Sequence, residues 1–217
     1  MANRNGPRRT PDRNAALEQY RRRALLYDLE LAVFEPIRRR AIGLLALKHG
    51  ETVLDVGCGT GLSLDLLRQG VGARGRIIGI EQSPEMIDQA RHRVQSHRWR
   101  NVALLNSPVE AVEIPAIADA ALFHFTHDIL LRGDAIANVA RHLKPGARVV
   151  ACGLKLAEPW AWPVNLLVLP AAMYSVTSLA GLRKPWSRLA RWLDPLSVET
   201  TMLGGVYIAR GECARVK

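Results

Sequence analysis

Apolar and polar positions along this chain follow two rhythms, and the change of rhythm marks its organisation. Between Ala15 and Leu47, Leu17, Tyr20, Leu25, Tyr27, Leu31, Phe34 and Ile37 recur at spacings near three and four, the period of an amphipathic helix. Pro36 divides this stretch into two helices, and Lys48-His49-Gly50 closes the second, with Gly50 as a left-handed stop. Short apolar runs bounded by turn residues then take over. Segments 52–56 (TVLDV), 76–80 (RIIGI), 101–105 (NVALL), 118–125 (ADAALFHF) and 148–152 (RVVAC) read as buried strands. Helices at 63–68, 84–96 and 134–143 alternate with them, the second opened by Ser83 as N-cap and Pro84 in its first turn. LKPG at 143–146 reads as a turn.

Strands alternating with helices predict an α/β fold, a doubly wound and mostly parallel sheet. Segments 198–203 and 206–210, around Gly204-Gly205, add an antiparallel hairpin and bring the sheet to seven strands. Residues 1–14 read as a disordered basic tail, and 15–217 as one domain with N-terminal helices at 15–47 and an apolar cap at 156–190. Inside the cap, 159–182 carries no charged side chain. Pro159, Pro163 and Pro170 break that run, and Asn165, Ser175, Thr177 and Ser178 make it amphipathic. It therefore reads as a pair of short buried or ligand-covering helices rather than a membrane span.

The first strand runs into Asp55-Val56-Gly57-Cys58-Gly59-Thr60-Gly61. Closely spaced glycines let the backbone turn sharply and let a ligand approach without meeting a Cβ. A dinucleotide G-x-G-x-x-G would need a third glycine where Leu62 or Leu64 stands, and no P-loop Gly-Lys-Ser/Thr follows. What remains, D-x-G-x-G-x-G, resembles motif I of the class I S-adenosylmethionine-dependent methyltransferases, in particular those of small molecules and quinone biosynthesis. Glu81, twenty residues after Gly61 at the end of the next strand, adds to the likeness, since a carboxylate there can accept both ribose hydroxyls. GETVLDVGCGTG, GIEQSPEMIDQAR and LKPGARVV follow in the family's order, so the resemblance covers about residues 20–155.

The resemblance implies a Rossmann-like fold, S-adenosylmethionine as cofactor and a set of site residues. Gly57, Cys58, Gly59 and Gly61 would lie along the methionine portion, with Asp55 orienting the loop or the ammonium. Glu81 would take the ribose, with Gln82 and Met86 beside ribose and adenine. Tyr27 with Asp28 resembles a pair that closes over the cofactor in relatives, although Tyr27 also fits a core aromatic on an amphipathic helix. After the third strand Pro108 stands where relatives carry an acid, so the adenine amino contact passes to Ser107 or Glu110, beside Val109. In a parallel α/β sheet the ligand lies outside the carboxyl ends of the strands, and the fourth strand ends in His124-Phe125-Thr126-His127-Asp128. His124, or His127 with Asp128, could accept a proton from an acceptor at neutral pH. Equally, Asp128 could cap the following helix and His127 fill a polar gap.

Charge adds a partner question. The net charge is +10, and ten arginines fall within the first forty residues. Such a face suits nucleic acid, an anionic membrane, an acidic substrate or plain solvation. Neither an N/D-P-P-Y/F tetrapeptide nor a Pro-Cys nucleophile is present, so base methylation of nucleic acid lacks its signatures. Cys58, Cys152 and Cys213 form no metal-ligand spacing and no disulfide framework. With no apolar segment in the first fourteen residues, a cytoplasmic protein is expected, with peripheral membrane contact left open. Trp160, Trp162, Met173, Tyr174 and Trp186 would line a pocket for a small hydrophobic or aromatic acceptor. A phospholipid N-methyltransferase at an anionic surface and a non-catalytic cofactor-binding protein are the alternatives. These patterns do not encode the oligomeric state.

Overall fold

The computed structural model describes residues 34–158, 161–166, 168 and 179–214. Tyr27, Trp160, Met173, Tyr174, the tail at 1–14 and the helix expected before Pro36 lie outside the described residues.

Seven strands form one sheet: β1 (Thr52–Val56), β2 (Arg76–Glu81), β3 (Val102–Asn106), β4 (Ala118–His124), β5 (Leu143–Leu154), β6 (Leu193–Thr201) and β7 (Val206–Cys213). Their order is β3-β2-β1-β4-β5-β7-β6. The first five are parallel, and β7 returns antiparallel between β5 and β6. The chain moves outward from β1 to β3, then crosses back to β4. The carboxyl ends of β1 and β4 therefore flank the point where the order reverses, which is where such sheets hold ligands.

Helices α1 (Glu35–Leu44), α2 (Leu64–Val71), α3 (Pro84–Ser96), α4 (His127–Leu130) and α5 (Gly133–Arg141) cover the two faces. Successive strand residues point to opposite faces, and two buried clusters result. Val53, Ile77, Ala120, Leu122, Val150 and Cys152 face α1 and α2. Leu54, Val56, Ile78, Ile80, Ala121, Phe123, Val149 and Ala151 face α5 and the β3–β4 connection. On α1, Ile37, Ala41, Ile42 and Leu45 form the buried stripe; each large apolar side chain so buried contributes roughly 1.5–3 kcal/mol.

Several boundaries differ from expectation for identifiable reasons. Pro36 sits in the first turn of α1, where its missing N–H costs nothing. That helix stops at Leu44, short of Lys48-His49-Gly50, because Leu45 and Ala46 donate back to Ile42 and Gly43 in a tightened last turn. Gly50 is left-handed as expected (φ 91°), but it serves the turn into β1, its N–H donating to Val71. α2 continues past Arg68 to Val71. LKPG is no separate turn: β5 begins at Leu143, and the register jump from Ala118↔Leu143 to Ala120↔Arg148 makes the segment a bulge. The strand expected through Phe125 ends at His124, because Phe125 turns left-handed (φ 57°). Both hairpin strands are present and longer than expected.

Between β3 and β4 the chain has only turns, so something other than a helix must hold it. Asn138 on α5 does so: its buried amide donates to the carbonyls of Val109 (2.8 Å) and Val112 (2.9 Å). Asn138→Ala is expected to destabilise the fold by about 2–4 kcal/mol, because two buried carbonyls lose their donor. Urea unfolding measures this, and an unchanged midpoint would mean that the connection is held in another way.

Candidate active site

Strand alternation puts two polar residues on one apolar sheet face, and the helix above adds a third. Asp55 continues the face that carries Val53, and His124 continues the one that carries Leu122. Above them lies α1, whose Arg38 falls in the same stripe as Ala41, Ile42 and Leu45, at i, i+3, i+4 and i+7. All three side chains line one cavity of about 20 Å³, together with Gly57, Cys58, Gly59, Thr60, Leu62 and Ser63. That is room for about one water molecule.

The polar atoms at this spot are short of partners. Nε and Nη2 of Arg38, Oδ2 of Asp55, Nε2 of His124 and Oγ1 of Thr126 are buried without a hydrogen bond. Arg38 reaches Glu35 through Nη1, and no salt bridge joins it to Asp55. Burial drives the Asp55 carboxyl up to about 7, against the lowering pull of the Arg38 charge, with Glu81 pushing it further upward. Burial, helped by the Arg38 charge, pushes His124 down to about 3, so its ring is neutral throughout the physiological range. Proton acceptance at neutral pH, expected of His124, does not suit that environment.

The glycine turn is shaped by contacts that leave no space for side chains. A Cβ on Gly57 would stand 2.6 Å from Cγ2 of Thr126 and 2.8 Å from Cδ1 of Ile129, so the β1 turn packs directly on the segment after β4. Gly57, Gly59 and Gly61 all have positive φ. Glu81 ties the turn to β2: Oε2 accepts from the Gly59 N–H (3.1 Å) and Oε1 from the Ser83 N–H (2.8 Å). Burial raises the Glu81 carboxyl, and these N–H groups act against the rise. Cys58 is buried with its thiol pushed well above its usual range, chiefly by burial. A Cβ on Gly79 would stand 2.9 Å from its Sγ, so this side chain packs against β2.

The remaining expected residues are placed as follows. Ser83 caps α3 by accepting from the Met86 N–H (3.3 Å); Met86 is buried beneath it and Gln82 is half-buried. Ser107 donates from its backbone N–H to the Glu81 carbonyl (3.1 Å), which sets the β3 end beside β2. Val109 is buried in the core, and Glu110 pairs with Arg132 (3.1 Å). His127 lies at 2.9 Å from the Ala180 carbonyl through Nε2. A carbonyl only accepts, so Nε2 is the donor. Asp128 lies in the first turn of α4, whose N-cap position is Thr126.

Arg38, Thr126, Phe34 and Phe125 carry no site role in the sequence reading. The ring of Phe125 lies 4.6 Å from Phe34 and 4.9 Å from His124, an aromatic wall at the β4 end. Arg38 had a signal, its place in the α1 apolar stripe, but it stands in a run of three arginines that reads as solvated surface.

A doubly wound sheet with a glycine turn at its switch point and an acid closing β2 is the class I methyltransferase architecture. Comparison with known proteins agrees. Residues 53–146 match the family model described as a methyltransferase domain. The aklanonic acid methyltransferase DauC of Streptomyces sp. (strain C5) is 32% identical over 127 residues, covering 57% of each chain. The 2-phytyl-1,4-naphtoquinone methyltransferase of Nostoc punctiforme is 27% identical over 188 residues, 81% of this chain and 80% of that protein. Among solved structures, the N-methyltransferase NodS of Bradyrhizobium japonicum WM9, in complex with S-adenosyl-L-homocysteine, superposes with a TM-score of 0.61 at 17% identity, over 83% of this chain and 87% of that one. The chain spans between about a third and three-fifths of the length of the first curated relatives that it matches.

The buried acid makes stability depend on pH in a definite direction. Asp55 has a folded-state value above the ordinary range, so the folded protein holds its proton longer than the unfolded chain. Its contribution is complete below about pH 4 and is lost as pH rises through about 7. His124, depressed to about 3, acts oppositely, losing its contribution as pH falls below about 6.5. Asp55→Asn should therefore stabilise the ligand-free protein at pH 8 by about 2–4 kcal/mol and give no advantage at pH 4. Urea unfolding at both values measures this, and equal gains at the two would refute a titrating Asp55.

Proposed function

We infer that this protein transfers a methyl group from S-adenosylmethionine to a small hydrophobic or aromatic acceptor. One observation carries the assignment of the cofactor's amino-acid end: a guanidinium, a carboxylate and an imidazole with orphaned polar atoms face one cavity between β1, β4 and α1. Such a set suits a zwitterion, with Arg38 donating to a carboxylate and Asp55 accepting from an ammonium. That pairing would hold Asp55 ionised despite its burial. Glu81 keeps a lone pair beyond those engaged by the Gly59, Ser83 and Gln82 N–H groups, available to a ribose hydroxyl. Gln82, Met86, Ser107 and Val109 stand where the base would follow.

When bound, the cofactor supplies a methyl group on a sulfonium, a good leaving group displaced in line. What the chain must add is alignment and exclusion of water. Phe34 and Phe125 make an apolar wall for a flat acceptor, and His124, kept neutral, orients it by hydrogen bonding. His127 and Asp128 follow at the start of α4. The small-molecule reading is supported by relatives named for aklanonic acid and for demethylmenaquinone.

Calorimetric titration with S-adenosylhomocysteine tests the cofactor assignment. One-to-one binding in the micromolar range is expected, weakened about tenfold or more by Arg38→Met. Methylthioadenosine, which lacks the amino-acid portion, should lose little with the same substitution. Equal losses for both ligands would remove Arg38 from the carboxylate site. Once a panel of quinols and aromatic polyketides yields an acceptor, His124→Ala should lower kcat about tenfold or more with cofactor affinity unchanged. Unaltered turnover would take His124 out of the mechanism.

A further inference from the structure

Six large hydrophobic residues are exposed among the described residues, and five of them lie at one end of the molecule. Leu203 is 71% exposed, Trp162 62% and Leu166 61%, with Met202 and Leu179 also exposed; the sixth, Ile117, precedes β4 at the opposite end of the sheet. The five are carried by three segments fixed to one short stretch just past β5. The Lys155 N–H donates to the Gly205 carbonyl (2.9 Å), the Leu156 N–H to Leu182 (2.9 Å) and the Ala157 N–H to Oδ1 of Asn165 (2.8 Å). The hairpin tip at 202–205, the turn at 179–182 and the helical stretch at 161–166 are thereby held together.

The exposure is built into the backbone. Trp162 and Leu166 share one face of the helical stretch at i, i+4, whereas Val164 and Val168 face the body, each 3.0 Å from where a Cβ on Gly205 would stand. Met202 and Leu203 both adopt left-handed backbone (φ 51° and 53°), an uncommon state for large apolar residues, and together they form the tip of the β6–β7 turn. Arg183 and Lys184 follow the turn at 179–182, both exposed and without an ion pair among the described residues. The only acid in the stretch, Glu158, lies 3.9 Å from Lys155. The patch adjoins the candidate site, since the Ala180 carbonyl contacts His127.

We propose that this end of the molecule is a docking surface for an anionic lipid bilayer. Trp162, Leu166, Met202 and Leu203 enter the interface, and Arg183 and Lys184 meet the headgroups. A cluster of exposed apolar side chains with a cationic rim is the combination that a charged bilayer surface selects, and tryptophan favours its boundary. Docked this way, the carboxyl ends of the strands face the membrane, and a lipophilic acceptor can enter the site without crossing water. The surface argument stands apart from the assignment of methyl transfer: vesicle binding and cofactor titration are separate readouts, and either can fail alone.

The test is co-sedimentation of the full chain with phosphatidylcholine vesicles, with and without a minority of phosphatidylglycerol. Binding to the anionic vesicles is expected, weakening with salt. Trp162→Gln combined with Leu203→Asn should reduce it about tenfold or more. Both positions are exposed, and asparagine suits the left-handed backbone, so the double variant should unfold at the same temperature as the parent. Arg183→Ala with Lys184→Ala should lose only the preference for anionic vesicles, and Ile117→Asn should bind as the parent does. Binding that survives the double substitution would place the contact elsewhere and overturn the proposal, as would no binding at all. A dimer split by the double substitution in light scattering would show instead that the patch pairs two copies of this chain.

Discussion

A carboxylate buried in an apolar sheet face is the constraint around which this molecule is arranged. Asp55 is 1% exposed on a strand whose neighbours on the same face are Val53, Leu122 and Val150. Leaving such a group charged and unpartnered would cost several kcal/mol, and the fold reduces that cost only partly. Arg38 brings an opposite charge nearby but pairs with Glu35 rather than with Asp55, and the carboxyl responds by holding its proton to about pH 7. Filling this position with a valine would make the face uniformly apolar. An acid here, beneath an under-satisfied arginine, is on the proposed reading the arrangement of a site that is completed by a ligand.

The second level of organisation joins this acid to the rest of the cradle. Glu81 closes β2 one strand away and binds two backbone N–H groups, one of them within the glycine turn. The turn is thus held by an acid that, on the proposed reading, also takes the ribose, so loop shape and ligand recognition would share one side chain. Its other flank presses on Thr126 and Ile129 at the β4 end, so close that Gly57 tolerates no side chain. The two strands that border the reversal of sheet order are thereby locked in register at their carboxyl ends. A methyl donor on the β1 side and an acceptor on the β4 side would be positioned by the same few contacts.

Much of this was legible in the sequence because parallel strands are buried on both faces and stand out as unbroken apolar runs. The strands at 52–56 and 76–80, the fourth strand but for its last residue, the Ser83 cap and the glycine turn all follow from local chemistry. What local chemistry did not reveal is where tertiary contacts decide. β5 starts five residues early because a bulge carries LKPG along its partner, and nothing in that tetrapeptide distinguishes bulge from turn. Arg38 sits amid IRRR, and only its spacing to Ala41, Ile42 and Leu45 separates it from its exposed neighbours Arg39 and Arg40. The state of His124 depends on burial and on that same arginine, residues apart in sequence. Its identity was visible and its charge was not.

That charge state bears on the acceptor. His124 faces the cleft as a neutral imidazole, and the positive charge of Arg38 opposes any proton arriving there. A group so placed accepts or donates a hydrogen bond well but is a weak base. His127 is held through Nε2 by the Ala180 carbonyl, which fixes the orientation of its ring at this end of the site. On the proposed reading, this end of the site serves acceptors that bring their own nucleophilicity, such as a phenolate, an enolate or an acidic hydroquinone. An aliphatic alcohol would need stronger proton removal than these rings provide. Flat aromatic acceptors of that kind also suit the wall formed by Phe34 and Phe125, so electrostatics and shape select the same class of molecule.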